Sequence, residues 1–372
     1  MGGGIEDSGS RLWNSDRTDR AHPQCSFVAA GDQLGESDLD VSTQPGVPFG
    51  QLHQESHDFA DVFVDKELVA AAPDGRRIVY TTQAAEGDSA IHIIDAGGGN
   101  DKALAPCPQA ECSGPVWSPD GRRLIFEMRP REGGLLASPR LYWLDPATGE
   151  TRPLIEGNES PGYGARFSPD GQWLSYVSLA DEGVVLYRLG DGRQRLLSSR
   201  VGSPAAWSPD SAAVVYGDLV VQGHETAPEP EGGAEESLGE LPLQESSNVF
   251  LYRTLVDEES ARRRLSPDAG VADTAAAFSP DGAWIAFGRT PANTAAGRQL
   301  WLMRADGSDA RALTNDPAAT HGPPRWSSDG RALLFQRYDP AEETTSVWRL
   351  DVATGAETMV AEGGYLPGWL IR

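Results

Sequence analysis

Positive charge is scarce in this chain: 31 Lys and Arg stand against 55 Asp and Glu, a formal net charge of −24 over 372 residues. A surface of that sign repels phosphate backbones and anionic membrane surfaces, which argues against nucleic acid or a lipid headgroup as partner. Long apolar runs are missing, so no transmembrane segment is expected, and no apolar leader region follows Met1. Catalytic signatures are missing as well. There is no Gly-x-Ser-x-Gly nucleophile elbow, no His-Glu-x-x-His zinc motif and no Gly-x-x-x-x-Gly-Lys-Ser/Thr phosphate loop. Cysteine occurs three times. Cys107 and Cys112 bracket Pro-Gln-Ala-Glu; they can close a small disulfide loop, which implies an oxidising compartment, or stand as two free thiols. A zinc site there has no second ligand pair nearby in sequence, and Cys25 is left over.

What the chain has instead is one phrase written six times. It reads Ala-Pro-Asp-Gly at 72–75, Ser-Pro-Asp-Gly at 118–121, 168–171 and 279–282, Ser-Pro-Asp-Ser at 208–211 and Ser-Ser-Asp-Gly at 327–330. The aspartates are Asp74, Asp120, Asp170, Asp210, Asp281 and Asp329, separated by 46, 50, 40, 71 and 48 residues. A period of about 40–50 residues marks a propeller or a solenoid. Each phrase is a tight turn: Pro presets φ, Asp suits the next position, Gly takes a left-handed one, and the Ser hydroxyl can bond the turn backbone. Ser211 in place of Gly puts the left-handed position of its turn in question.

The flanks repeat in register. An aromatic precedes five of the turns (Trp117, Phe167, Trp207, Phe278, Trp326), and Trp369 near the C-terminus resembles a sixth. After each turn come two short apolar runs, a Gly-bearing turn and a shorter run. The spacing predicts four strands per unit joined by hairpins. The middle strands are continuously apolar, as in sheets covered on both faces. One such sheet cannot shield its own flanks, so the units are expected to close into a ring.

Trp-Ser-Pro-Asp-Gly followed by an apolar strand resembles the WD40-like PD40 repeat of TolB-type propellers, from about Val69 to Arg372. The fold expected is therefore all-β: a six-bladed β-propeller of four-stranded antiparallel blades, with seven blades as the runner-up. Residues 1–58 read as an irregular Gly/Ser/Asp-rich extension and 59–372 as the propeller, with a mobile acidic insertion at 224–247 that is either a docking arm or a solvated loop. The resemblance also implies ring closure by the C-terminal strand: Leu366–Ile371 is expected as the innermost strand of the first blade, with Glu67–Ala71 the competing candidate. It implies an exported protein of the periplasm, outer membrane or cell surface. Met1-Gly-Gly-Gly then reads as an artificial start that replaces a removed leader, or as following a deleted lipid-bearing cysteine.

Candidate sites are few. The six turn aspartates are oxygen ligands in type, but Asp is what such turns prefer and the copies are spread around the ring. The aromatics can form a sugar-binding ring or pack between blades; every blade needs that packing. His53 and His57 would share a face only on a helix, which the segment does not signal, and Asn158-Glu-Ser160 matches a glycosylation acceptor by pattern alone. The residue before each aromatic is Val116, Arg166, Ala206, Ala277, Arg325 and Gly368. Arg166 and Arg325 lie three repeats apart, on opposite sides of a six-fold channel. There they can clamp a carboxylate, or pair with nearby aspartates. The reading is a non-enzymatic protein- or peptide-binding scaffold with no cofactor and no metal. The alternatives are a metal-dependent hydrolase, lactonase or lyase at the channel mouth, and a structural component of a surface assembly.

Overall fold

The computed structural model describes residues 69–83, 89–155, 161–222, 246–257, 262–266, 270–292 and 294–362. The N-terminal extension with Cys25, His53 and His57, the bulk of the acidic insertion, Asn158 and the C-terminal segment with Trp369 lie outside the described residues. Everything described is strand, turn or link. The described strands form six consecutive antiparallel units, each of four main strands paired in sequence order, the first of them called the inner strand below. The first comprises Val69–Ala71, Arg77–Gln83, Ser89–Asp95 and Lys102–Cys107, and the third Gly162–Phe167, Trp173–Ser178, Gly183–Arg188 and Gln194–Ser198. The fourth and fifth units share one eight-stranded sheet only because a single parallel bridge, Val249 to Ala272, joins them.

Five hydrophobic cores hold these units together, and each lies between two successive units. Val79, Ile91 and Leu104 of the first unit pack with Trp117, Leu124 and Phe126 of the second. Ile125 and Trp143 of the second pack with Leu174 and Val185 of the third, and the pattern repeats through Phe250, Phe287 and Phe335. Adjacent residues of one strand thus serve different cores, as a pleated strand requires. This is why the second strand of the third unit, Trp173–Ser178, is buried at every position.

The repeated phrase builds the turn expected of it. Ser118, Ser168, Ser208, Ser279 and Ser327 each donate to the aspartate two residues on, at 2.5–2.6 Å. The same Asp oxygen accepts the backbone N–H two residues further, at 2.9–3.1 Å. The glycines at 121, 171, 282 and 330 have φ of 66–70°. Each faces the proline of the preceding turn, with room for a Cβ at 3.5–3.7 Å. Ser211 corrects an expectation. It keeps φ at 60° without being glycine, and its hydroxyl accepts the N–H of Asp170 in the preceding turn at 3.0 Å. That cross-link compensates the left-handed strain.

Two boundaries differ from the sequence reading. The inner strand of the first unit is the competing candidate: Val69–Ala71 pairs with Arg77–Gln83, Ala71 opposite Ile78. Ala71 therefore occupies the register position that Trp117 holds opposite Leu124. Leu366–Ile371 lies outside the described residues. The long hairpin of the fourth unit, Ala213–Gln222 with Ser246–Leu255, pairs as far as Gln222 with Ser246, so strand reaches two residues into the segment read as insertion.

Candidate functional site

Strand direction divides each unit into two ends. The Ser-Pro-Asp turns and the turns between third and fourth strands share one. The hairpins between middle strands and the links to the next unit share the other, here the link end. Inner strands are bulged midway, with register jumps between Ser113 and Val116, Tyr163 and Arg166, and Thr274 and Ala277. Gly114, Gly164 and Ala275 carry the positive φ at these bulges. A bulge bends its strand and re-aims the side chains beyond it.

Just past the bulge lies the position singled out in sequence. Val116, Arg166, Ala206, Ala277 and Arg325 pair with Ile125, Ser175, Val215, Ala286 and Leu334, equivalent places in five units, and Ala70 opposite Val79 is the sixth. Arg166 and Arg325 are both half-buried there. The Arg166 guanidinium donates to the Ala165 carbonyl at 3.0 Å.

The aromatics have a defined structural task. The indole N–H of Trp117 donates to the Ala70 carbonyl at 3.1 Å, that of Trp207 to Arg166 at 3.2 Å, and that of Trp326 to Ala277 at 3.0 Å. Each tryptophan ties its unit to the inner strand of the preceding one. Phe167 lies tilted against Trp143 of the second unit, ring centroids 6.0 Å apart, and Phe278 packs in the core between the fourth and fifth units. The six aspartates stay in separate turns, each bound to its own backbone.

Buried charged groups collect toward the link end. Glu127 Oε1 accepts the Gly164 N–H of the next unit at 2.8 Å. Tyr163 donates to the Gly202 carbonyl at 2.7 Å, and burial, then the nearby Glu127 charge, push its phenol up. Asp273 and Arg289 form a buried two-pronged pair at 2.7 and 2.8 Å. Asp218 accepts Arg262 at 2.6 Å and the Arg200 N–H at 3.1 Å. The Gln299 side-chain amide, at the start of the third strand of the fifth unit, donates to the Asp316 carbonyl and accepts the Asp316 N–H, which ties that strand to the following link. Cys107 and Cys112 are joined by a disulfide across the link between first and second units. Sequence reasoning missed Glu127 and the Asp273–Arg289 pair. Their one signal was a charge at the end of an otherwise apolar run. Among the described residues, no three His, Cys, Asp or Glu side chains converge as a metal site, and no helix is long and apolar enough to cross a membrane.

No family model matches the sequence, and no curated protein matches it. Solved structures do match. A TolB structure from Agrobacterium tumefaciens superposes with a TM-score of 0.51 at 20% identity, covering 73% of this chain and 90% of the other. TolB from Acinetobacter baumannii gives 0.52 at 16%, covering 80% and 67%. The chain has the TolB-like propeller fold. An oligogalacturonate lyase in complex with manganese gives 0.50 at 17%, covering 80% and 74%. Identities this low speak of fold alone, and a TolB-like fold leaves function to particular residues.

Proposed function

We propose that the six units close into a ring and that this ring is a non-enzymatic scaffold for a protein or peptide partner, working outside the cytoplasm. Closure is supported by the sixth unit. Leu334 and Val347 point away from its shared core, yet both are fully buried, so another surface covers them. The binding reading rests chiefly on one observation: at the six equivalent inner-strand positions, Arg166 and Arg325 replace small apolar residues, three units apart. Two guanidinium groups on opposite sides of one channel suit a carboxylate-bearing peptide end. The Cys107–Cys112 disulfide supports an oxidising location.

The test uses fluorescent peptides ending in a free carboxylate or in an amide, titrated against the full chain. The carboxylate series should bind preferentially, and Arg166→Ala/Arg325→Ala should weaken it at least tenfold. Equal binding by the double variant overturns the clamp. A second reading, a polysaccharide lyase, is favoured by the likeness to the manganese-bound oligogalacturonate lyase. Manganese-dependent release of unsaturated products from oligogalacturonate by the purified chain would establish it.

A further inference from the structure

The second unit carries an extra hairpin at the link end. Its second strand, Leu124–Glu132, runs beyond its pairing with the third strand into a short hairpin with Leu135–Leu136, register Glu132 to Leu135. Gly133 and Gly134, with φ of 61° and 87°, make the two-residue turn whose twist suits a hairpin. This finger is braced on both flanks. On one side Arg131 N–H donates to Gln109 O at 2.8 Å, inside the disulfide loop. On the other, Gly162 N–H of the third unit donates to Pro139 O at 2.8 Å. Across the finger itself, Arg129 Nε donates to Ala137 O at 3.2 Å.

Its tip is apolar and bare. Leu135 is 78% exposed, the most exposed large apolar side chain described, and Leu179, 44% exposed, sits on the adjoining hairpin of the third unit. Pro161 connects them: its carbonyl accepts Leu179 N–H at 3.2 Å, one residue from the Gly162–Pro139 contact. The charge also reverses here. Residues 129–140 contain Arg129, Arg131 and Arg140 against Glu132 alone, in a chain whose acids outnumber its bases 55 to 31. An exposed apolar tip with a basic collar, held rigid before any partner arrives, is the make-up of a recognition surface.

We propose that this finger and the neighbouring Leu179 turn are a docking surface for an extended segment of a partner protein that carries acidic side chains beside apolar ones. The apolar residues would cover Leu135 and Leu179, and the carboxylates would meet the arginine collar, which also speeds encounter against the repulsion of the acidic body. The proposal rests on the scaffold reading, but it uses a surface separate from the channel arginines.

The test is a selection of phage-displayed random dodecapeptides on the full chain, followed by titration of the synthetic consensus peptide. Selected peptides should be rich in Asp or Glu beside Leu, Ile or Phe. Leu135→Asp should bind the consensus at least tenfold more weakly while keeping the wild-type melting temperature; Arg131→Gln should weaken it and flatten its salt dependence. Arg166→Ala/Arg325→Ala should leave it unchanged. Selected peptides without acidic residues, or undiminished binding to Leu135→Asp, overturn the finger. A consensus peptide lost only on the channel variant overturns the finger and leaves the scaffold reading standing; an empty selection overturns both.

Discussion

A turn serine does two things at once in this chain. Its hydroxyl holds the aspartate two residues on and accepts the N–H that starts the next strand, as Ser208 does for Asp210 and Ala213. That hydroxyl, and then a backbone N–H, hold Asp120, Asp210, Asp281 and Asp329 below the usual carboxylate range. A carboxylate depressed by folding adds stability above its unfolded pKa and loses it as pH falls through the folded one. The same sign holds for His321, whose pKa is lowered chiefly by burial: the unfolded chain takes up that proton first. Stability should therefore fall in two stages on acidification, gently from about pH 6.5 and steeply below about pH 4. His321→Gln should remove the first stage and Ser208→Ala/Ser279→Ala should shrink the second, each serine costing about 1 kcal/mol at neutral pH. Urea melts across pH 3–8 check both; a profile unchanged in either variant contradicts the assignment. The Asp273–Arg289 pair allows a sharper comparison. Asp273→Ala strands a buried guanidinium and should cost roughly 3–5 kcal/mol, whereas Asp273→Leu/Arg289→Met should cost far less.

At the scale of the element, the inner strand is where sequence and structure part company. The turns were legible because Pro, Asp and Gly act locally, and so were the aromatics, because each repeat places one before its turn. The first inner strand was ambiguous because Ala71 stands where the other units place an aromatic; only the register and the Trp117 bond to Ala70 identify it. The bulges were illegible because a register jump is a property of two strands, and the partner of Glu127 lies 37 residues away in the next unit. These contacts make Gly164 a sensitive point: its φ is 66°, and a Cβ would meet Pro204 at 2.5 Å. Gly164→Ala should cost roughly 2–4 kcal/mol, from the left-handed penalty plus overpacking, while Gly133→Ala, with φ of 61° and nothing nearby, should cost only the first part. Reduction of the Cys107–Cys112 loop, whose ends are five residues apart, should remove about 2 kcal/mol by the loop-entropy estimate. Melting curves with and without a reductant measure it against Cys107→Ser/Cys112→Ser, which should not respond.

At the scale of the whole molecule, the decisive property is that none of the described units owns a core. The apolar contacts between consecutive units are the cores themselves, so removing one unit exposes a face of each neighbour, and the six should unfold together. Set against that shared burial is the self-repulsion of 55 acids with 31 bases. The repulsion acts between exposed charges many ångströms apart and is screened over about 10 Å at 0.1 M salt; the cores are untouched by simple salt at that level. The two contributions therefore separate on ionic strength. Melting at neutral pH should be a single transition at every salt concentration, and its midpoint should rise by several degrees as sodium chloride goes from about 10 mM to about 300 mM, then level off. Buried pairs such as Asp273–Arg289, being poorly screened, should contribute nothing to that rise, so Asp273→Leu/Arg289→Met should show the wild-type salt response from a shifted baseline. A transition that splits in two at low salt and merges at high salt would mean that the shared cores couple the units more weakly than the acidic surface drives them apart; one that stays split at high salt, where that repulsion is screened, would mean that the units do not unfold together.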